Sequence, residues 1–272
     1  MAETKVAVGG ALCLVTGAGS GIGRATALEM ARRGARVLAA DIDEVAAKET
    51  AERCAGGAAA YQLDVADGAA FTSLAERVGR EHGTVDILVN NAGVGASGPF
   101  LDFSPADWDW ILGINLMGVI NGCRAFGPAM VERRRGHVVN VASGLGYTPT
   151  PTEPAYVTTK AAVIALSRCI RADWQTSNVG VSVVCPGVTN TAIISRTRFV
   201  GESAAPDRVQ RAEKLFRRGH SPDQVARAIL GAVENNRPLV PVGWESRLGW
   251  ALHRLGPLRI TDVMGRTAGS WR

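Results

Sequence analysis

No run of apolar residues in this 272-residue chain approaches the ~18 that a membrane-spanning helix needs. Residues 1–10 have no basic start followed by a long apolar stretch, so no secretory leader is expected. The five cysteines (Cys13, Cys54, Cys123, Cys169 and Cys185) are odd in number, scattered, and never spaced C-x-x-C. That argues against a disulfide framework and against a zinc centre, and it suits a reducing cytoplasm. No metal site is expected. No internal repeat and no Gly/Ser-rich linker marks a second domain. A basic stripe joined to a nucleic-acid reading motif is also missing, so no nucleic-acid partner is expected. The net charge of +5 is instead concentrated at the end of the chain. From Arg237 onward, six arginines stand against Glu245 and Asp262.

What is present is a body rich enough in apolar residues (46%) for one core, with 32 glycines to serve tight turns. Short apolar runs alternate with segments of helical spacing. Strands are expected at Ala11–Thr16, Arg36–Ala40, Ala58–Leu63, Val85–Val89, His137–Val141, Val181–Cys185 and Leu239–Val242. Helices are expected between them, at Gly21–Arg33, Asp43–Cys54, Asp67–His82, about 105–133, about 153–176, and from Pro222 to near Asn235. Ser104-Pro105-Ala106-Asp107 and Ser221-Pro222-Asp223-Gln224 carry helix-start chemistry. Strands at this spacing with helical crossovers imply an α/β fold. The expected form is a single doubly wound domain whose parallel sheet is flanked by helices on both faces.

The first strand runs into Thr16-Gly17-Ala18-Gly19-Ser20-Gly21-Ile22-Gly23. A strand that ends in glycine and re-enters as a helix points unpaired N–H groups at an anion such as a phosphate. Gly17, Gly21 and Gly23 permit close backbone approach; Ser20 and Ile22 lie between them. The stricter G-x-G-x-x-G register does not fit. Asp41 ends the second strand, where a carboxylate accepts hydrogen bonds from the ribose hydroxyls of a dinucleotide and repels a 2′-phosphate. That favours NAD over NADP; Arg24, within the first helix, is a weak argument the other way. Asp64, in Leu63-Asp64-Val65, suits either an adenine amino group or a helix N-terminus.

Tyr156 and Lys160 stand four residues apart on one helix face. An ammonium beside a phenol favours the phenolate, lowers its pKa toward neutral and makes a usable general acid/base. Ser143 lies upstream in Val141-Ala142-Ser143-Gly144.

Taken in order, these motifs resemble the short-chain dehydrogenase/reductase family. T-G-x-x-x-G-x-G lies at 16–23 and N-N-A-G at 90–93. Asn115 sits in Ile114-Asn115-Leu116, Ser143 follows, Y-x-x-x-K lies at 156–160, and P-G-x-x-x-T at 186–191. The matches cover residues 11–191. The resemblance implies an NAD-binding Rossmann catalytic domain over residues 1–243 and a hydride-transferring enzyme acting on an alcohol or ketone. It implies that Tyr156 exchanges the proton and that Lys160 lowers the phenol's pKa and holds the nicotinamide ribose. Ser143 would bind the reacting oxygen, and Asn115 would anchor a water linked to Lys160. Asn91, Ala92 and Gly93 would line the cofactor. Pro186, Gly187, Val188 and Thr191 would stand at the nicotinamide, with Val188 and Thr191 on the carboxamide. It also implies a homodimer or homotetramer built on the two long helices. A lyase or epimerase using NAD internally, or a non-catalytic dinucleotide sensor, stands as the alternative.

The expected substrate mouth is mostly apolar: Val94, Gly95, Leu145, Tyr147, Thr150, Pro151, Val188, Ile193, Ile194 and Phe199. With Ser143 and Tyr156 these favour a hydrophobic secondary alcohol or ketone (sterol, terpenoid, fatty-acyl or aromatic). Residues 188–220, basic from Arg196 to Arg218, read as a mobile lid. Residues 244–272 read as a basic extension. Within it Trp244, Leu248, Ala251, Leu252 and Leu255 share a helical stripe, which would either pack on the body or a neighbouring subunit, or rest on a membrane.

Overall fold

Alternation along the strands decides the layers of this fold. The computed structural model describes residues 5–54 and 56–255. In β1 (Leu12–Thr16), Leu12 and Leu14 enter one core while Cys13 and Val15 enter the other. Both faces are therefore buried, as a parallel sheet requires. The chain continues through α1 (Gly21–Arg32), β2 (Arg36–Asp41), α2 (Glu44–Arg53), β3 (Ala59–Gln62), α3 (Gly68–Glu81) and β4 (Ile87–Asn90). A short β5 (Gly95–Ser97), α4 (Pro105–Leu112), α5 (Gly118–Glu132), β6 (Gly136–Val141), α6 (Pro154–Trp174) and β7 (Val179–Pro186) follow. The last elements are β8 (Thr197–Phe199), α7 (Pro206–Arg217), α8 (Pro222–Glu234), β9 (Leu239–Val242) and α9 (Trp244–Leu255).

Seven strands form one parallel sheet in the order β3-β2-β1-β4-β6-β7-β9. Apolar faces of α3, α5 and α6 cover one side through Phe71, Phe126 and Val163. Those of α1 and α8 cover the other through Met30 and Ile229. The strand order reverses between β1 and β4, and a crevice opens there at the carboxyl ends of the strands.

The expected doubly wound fold is the one found, and both capping signals are realised. Ser104 accepts from Asp107 N–H while the Asp107 carboxylate accepts from Ser104 N–H, and Ser221 accepts from Asp223 N–H. Two features depart from the expected elements. The single helix over 105–133 is interrupted by a π-helical turn at Gly113–Met117, with Asn115 buried inside it. A separate two-stranded parallel sheet pairs β5 with β8. Among the described residues no helix is long and apolar enough to cross a membrane.

Candidate active site

Glycine chemistry builds the floor of the crevice. Gly17 and Gly21 have φ of +63° and +53°, which side chains other than hydrogen rarely adopt. An added methyl at Gly23 would lie 2.0 Å from the Gly17 carbonyl oxygen. The turn is pinned by the segment after β4. Thr16 Oγ1 accepts from the N–H groups of Asn91 (3.0 Å) and Ala92 (3.1 Å), and Asn91 Nδ2 donates to Thr16 O at 2.9 Å. Gly23 thus shapes the turn from beneath, while Gly17, Ser20, Gly21 and Ile22, together with Asn91, face a cleft of about 390 Å³.

At one end of that cleft stands Asp41, 3% exposed. Its carboxylate accepts from Gly19 N–H at 2.8 Å and from Asp43 N–H at 3.1 Å. Asp64 and Val65 line the same wall, and Asp64 also accepts from Ala66 N–H. Arg24 turns away, to Thr50 Oγ1 (3.0 Å) and Glu49 (3.2 Å). Ala92, Gly93, Thr191 and Ile193 complete the lining expected from sequence. Ile42, Leu63, Trp110, Ile114, Ala192 and Arg196 also line the cleft and were not marked as cofactor residues by any motif. Ile114 had a legible signal, since it directly precedes Asn115.

Pro186, Gly187 and Val188 stand off the cleft wall. Gly187 N–H donates to Val242 O at 2.8 Å, and Val188 N–H donates to Glu245 Oε1 at 2.9 Å. Glu245 in turn meets His220 Nε2 at 2.8 Å, so the start of the expected lid is tied to its end and to α9. The same segment is fastened again at β8. Arg198 pairs with Asp107 at 2.7 Å and lies 4.1 Å from the centre of the Trp110 ring.

Next to the cleft, β6 and α6 assemble the reactive groups. Ser143 follows β6 and lies near enough to the Tyr156 phenol to lower its pKa. Lys160 Nζ donates to Val141 O at 3.1 Å and lies 5.7 Å from the Tyr156 ring centre. A methyl on Gly93 would come within 3.2 Å of Asn115 Oδ1 and 3.4 Å of Lys160 Nζ, so these three are neighbours. Asn115 clamps Val94 by two bonds of 2.9 Å, from Val94 N–H to Oδ1 and from Nδ2 to Val94 O. Its Nδ2 also reaches Thr159 Oγ1. The Asn115 side chain thus fixes the Val94 backbone to the start of α6.

Burial dominates the electrostatics of this pair. Burial pushes the Tyr156 phenol up to about 12, and hydrogen bonding from Ser143 offsets only part of that. Burial also pushes Lys160 down to about 8. The lowering expected from the ammonium does not dominate, because the Lys160 amine is itself desolvated and directed at Val141 O. The Glu153 carboxyl, one turn before Tyr156, adds a further upward push on the phenol. Leu145 N–H caps onto Ser143 Oγ at 3.2 Å, which places Leu145 beside the reactive serine. Tyr147, expected at the substrate mouth, is buried instead; its hydroxyl bonds Ser246 of α9.

Three comparisons agree with this arrangement. A family model described as short chain dehydrogenase matches residues 11–198. The probable oxidoreductase EphD of Mycobacterium tuberculosis is 45% identical over 264 residues, covering 94% of this chain and 45% of that protein. The chain thus spans less than half the length of that relative. The 3-oxoacyl-[acyl-carrier-protein] reductase FabG of Thermotoga maritima is 34% identical over 224 residues, covering 81% of this chain and 89% of that one. A crystal structure of a short chain dehydrogenase/reductase from Burkholderia phymatum in complex with NAD superposes with a TM-score of 0.82 at 31% identity. It covers 92% of this chain and 94% of that chain. With the turn, the Asn115 clamp and the Ser143-Tyr156-Lys160 set all in register, the chain belongs to the short-chain dehydrogenase/reductase family of oxidoreductases.

Proposed function

We propose that the protein is an NAD-dependent oxidoreductase that interconverts an apolar secondary alcohol and its ketone, with Tyr156 as general acid/base. The observation that carries this reading is the pairing of two ends: a buried carboxylate at Asp41 and the Ser143-Tyr156-Lys160 set beside the same crevice. The residues present fit the dinucleotide. Asp41 is held by two backbone N–H groups and keeps lone pairs for ribose hydroxyls. Arg24, the nearest argument for a 2′-phosphate, is spent on α2. The N-terminus of α1 would take the pyrophosphate. A nicotinamide cofactor bound in the crevice would supply the hydride chemistry.

The chain's own residues do the rest. Tyr156 gives its proton to the substrate oxygen on reduction and takes one on oxidation. Ser143 donates a hydrogen bond to the same oxygen as negative charge develops. Lys160 holds ribose hydroxyls from its place beside Gly93, and the clamp of Asn115 on Val94 keeps that wall rigid. Val94, Leu145 and Ile193 give the substrate side an apolar surface. The Thermotoga relative is named for a 3-oxoacyl substrate, and such a chain suits this surface.

In this reading residues 188–220 cover the substrate, residues 1–243 form the catalytic body and α9 opens the extension. The body works in the cytoplasm, which its unpaired cysteines suit, and pairs with further copies through α5 and α6. A panel of apolar alcohols and ketones with NAD and with NADP, followed by nicotinamide absorbance, tests the activity. Turnover with NAD is expected. Tighter binding of NADP than NAD by titration would reverse the reading of Asp41, and absence of turnover across the panel would remove the activity.

A further inference from the structure

Helix α9 has two faces with opposite characters. The inward face is made of small and polar residues. Ser246 is buried and donates to Cys185 O at 2.7 Å. Gly249 is buried, and a methyl there would lie 2.7 Å from Thr148 Oγ1. Trp250 sets its ring 5.3 Å from that of Tyr147. This face docks on the 143–148 loop that carries the reactive serine.

The outward face is apolar. Trp244 is 71% exposed, Leu248 49% and Leu255 86%, and Ala251 is exposed between them. At 3.6 residues per turn these four positions fall within an arc of about 60°, opposite Ser246 and Gly249. Of the outcomes expected for this stripe, packing on the chain's own body is therefore not the one found at these four positions. Arg247 and Arg254, both exposed, line one margin of the stripe. The helix's one acid, Glu245, is tied to His220 and to Val188 N–H, so it neutralises neither arginine.

We infer that this face of α9 rests on an anionic lipid surface, its apolar stripe in the acyl boundary and its arginines among the headgroups. Exposed tryptophan and leucine beside arginine are the chemistry of a helix lying in a membrane interface. Each such arginine strengthens attraction to an anionic leaflet. A second copy of the chain fits the face less well. In an antiparallel two-fold pair the arginine margins of both helices meet, and in a parallel pair each margin lies against the Leu252 edge; neither arrangement offers a counter-charge. The sequence after α9 repeats the mixture, with Leu258, Ile260, Val263, Met264 and Trp271 beside Arg259, Arg266 and Arg272. Because α9 is seated on the loop of Ser143, docking would set the substrate mouth at the lipid surface. That last step rests on the apolar substrate proposed above; the docking itself does not.

The test is co-sedimentation of the full chain with phosphatidylcholine vesicles and with vesicles half phosphatidylglycerol. Binding to the anionic vesicles and little to the zwitterionic ones is expected. The double variants Leu248→Gln/Leu255→Gln and Arg247→Glu/Arg254→Glu should each lower anionic binding at least about tenfold. Their thermal midpoints should match the parent, since all four side chains are exposed. The inference falls if the intact chain ignores anionic vesicles, or if the stripe variant binds them as the parent does. It also falls if light scattering shows that the stripe variant has instead lost an oligomer. Turnover of a small water-soluble ketone should be unchanged in both variants. Its absence from parent and variants alike would count against the proposed reaction and leave the vesicle result standing.

Discussion

Replacing Tyr156 by phenylalanine keeps the ring and removes the transferable proton. The expected outcome is a loss of at least about 100-fold in kcat with NAD affinity nearly intact. Steady-state kinetics with a parallel NAD titration checks it, and near-normal turnover would refute the role given to the phenol. Glu153 is the less obvious neighbour. Burial pushes its carboxyl up to about 7, and its charge raises the Tyr156 phenol. Among the described residues no hydrogen bond or ion pair holds that carboxyl. In Glu153→Gln the limb of the pH–rate profile that belongs to Tyr156 should move to lower pH; an unmoved limb would show that the two groups do not communicate. The tyrosine was legible because Y-x-x-x-K carries its own spacing. Its raised pKa was not, because four-residue spacing fixes which face two side chains share and says nothing of how deeply that face is buried. Glu153 belongs to no motif, and its importance comes only from the burial of α6.

Elements were legible where they obey a local rule. The helix starts at Ser104 and Ser221 follow from capping chemistry, and the strands follow from short apolar runs and from the turns that end them. The π-helical turn at Asn115 was not legible, since Gly113–Met117 keeps ordinary helical periodicity. Nor was the β5–β8 pair, where three-residue strands a hundred positions apart meet only after the sheet has formed. On α9 the stripe itself was correctly read, but its direction was set by Ser246 and Gly249, which a search for apolar periodicity passes over. The fastening of β8 carries a prediction of its own. Arg198 joins Asp107 and Trp110, a half-exposed contact whose contribution is local rather than global. Arg198→Ala should therefore speed limited proteolysis within residues 190–217 several-fold and raise KM, with little change in the global thermal midpoint. Unchanged proteolysis would mean that the β5–β8 pairing alone holds the segment.

At the scale of the whole molecule, stability should depend on pH through one buried histidine. His137 lies in β6 with no exposed surface, and burial drives its pKa down to about 3. Its Nε2 meets Ser182 Oγ at 2.8 Å, while among the described residues the buried Nδ1 has no hydrogen-bond partner. Protonation would therefore create a buried charge and a donor with nothing to receive it. The unfolded chain binds this proton near the ordinary value of about 6.5, and the native state refuses it. Between pH 6.5 and 3 the unfolded state thus holds more protons, and stability must fall as pH falls through that window. From pH 7.5 to 4.5 this one group would remove about 2–3 kcal/mol. Other groups titrate over the same range, so the parent's curve alone does not isolate it. His137→Gln does. At pH 7.5 the variant should be the less stable of the two, having traded a fitted ring for an amide in a packed sheet. Toward pH 4.5 the gap should close or reverse, because the variant has no imidazole to protonate on unfolding. Urea midpoints measured for both proteins across that range decide it, and two curves that run parallel would show that His137 does not set the acid limit of this fold.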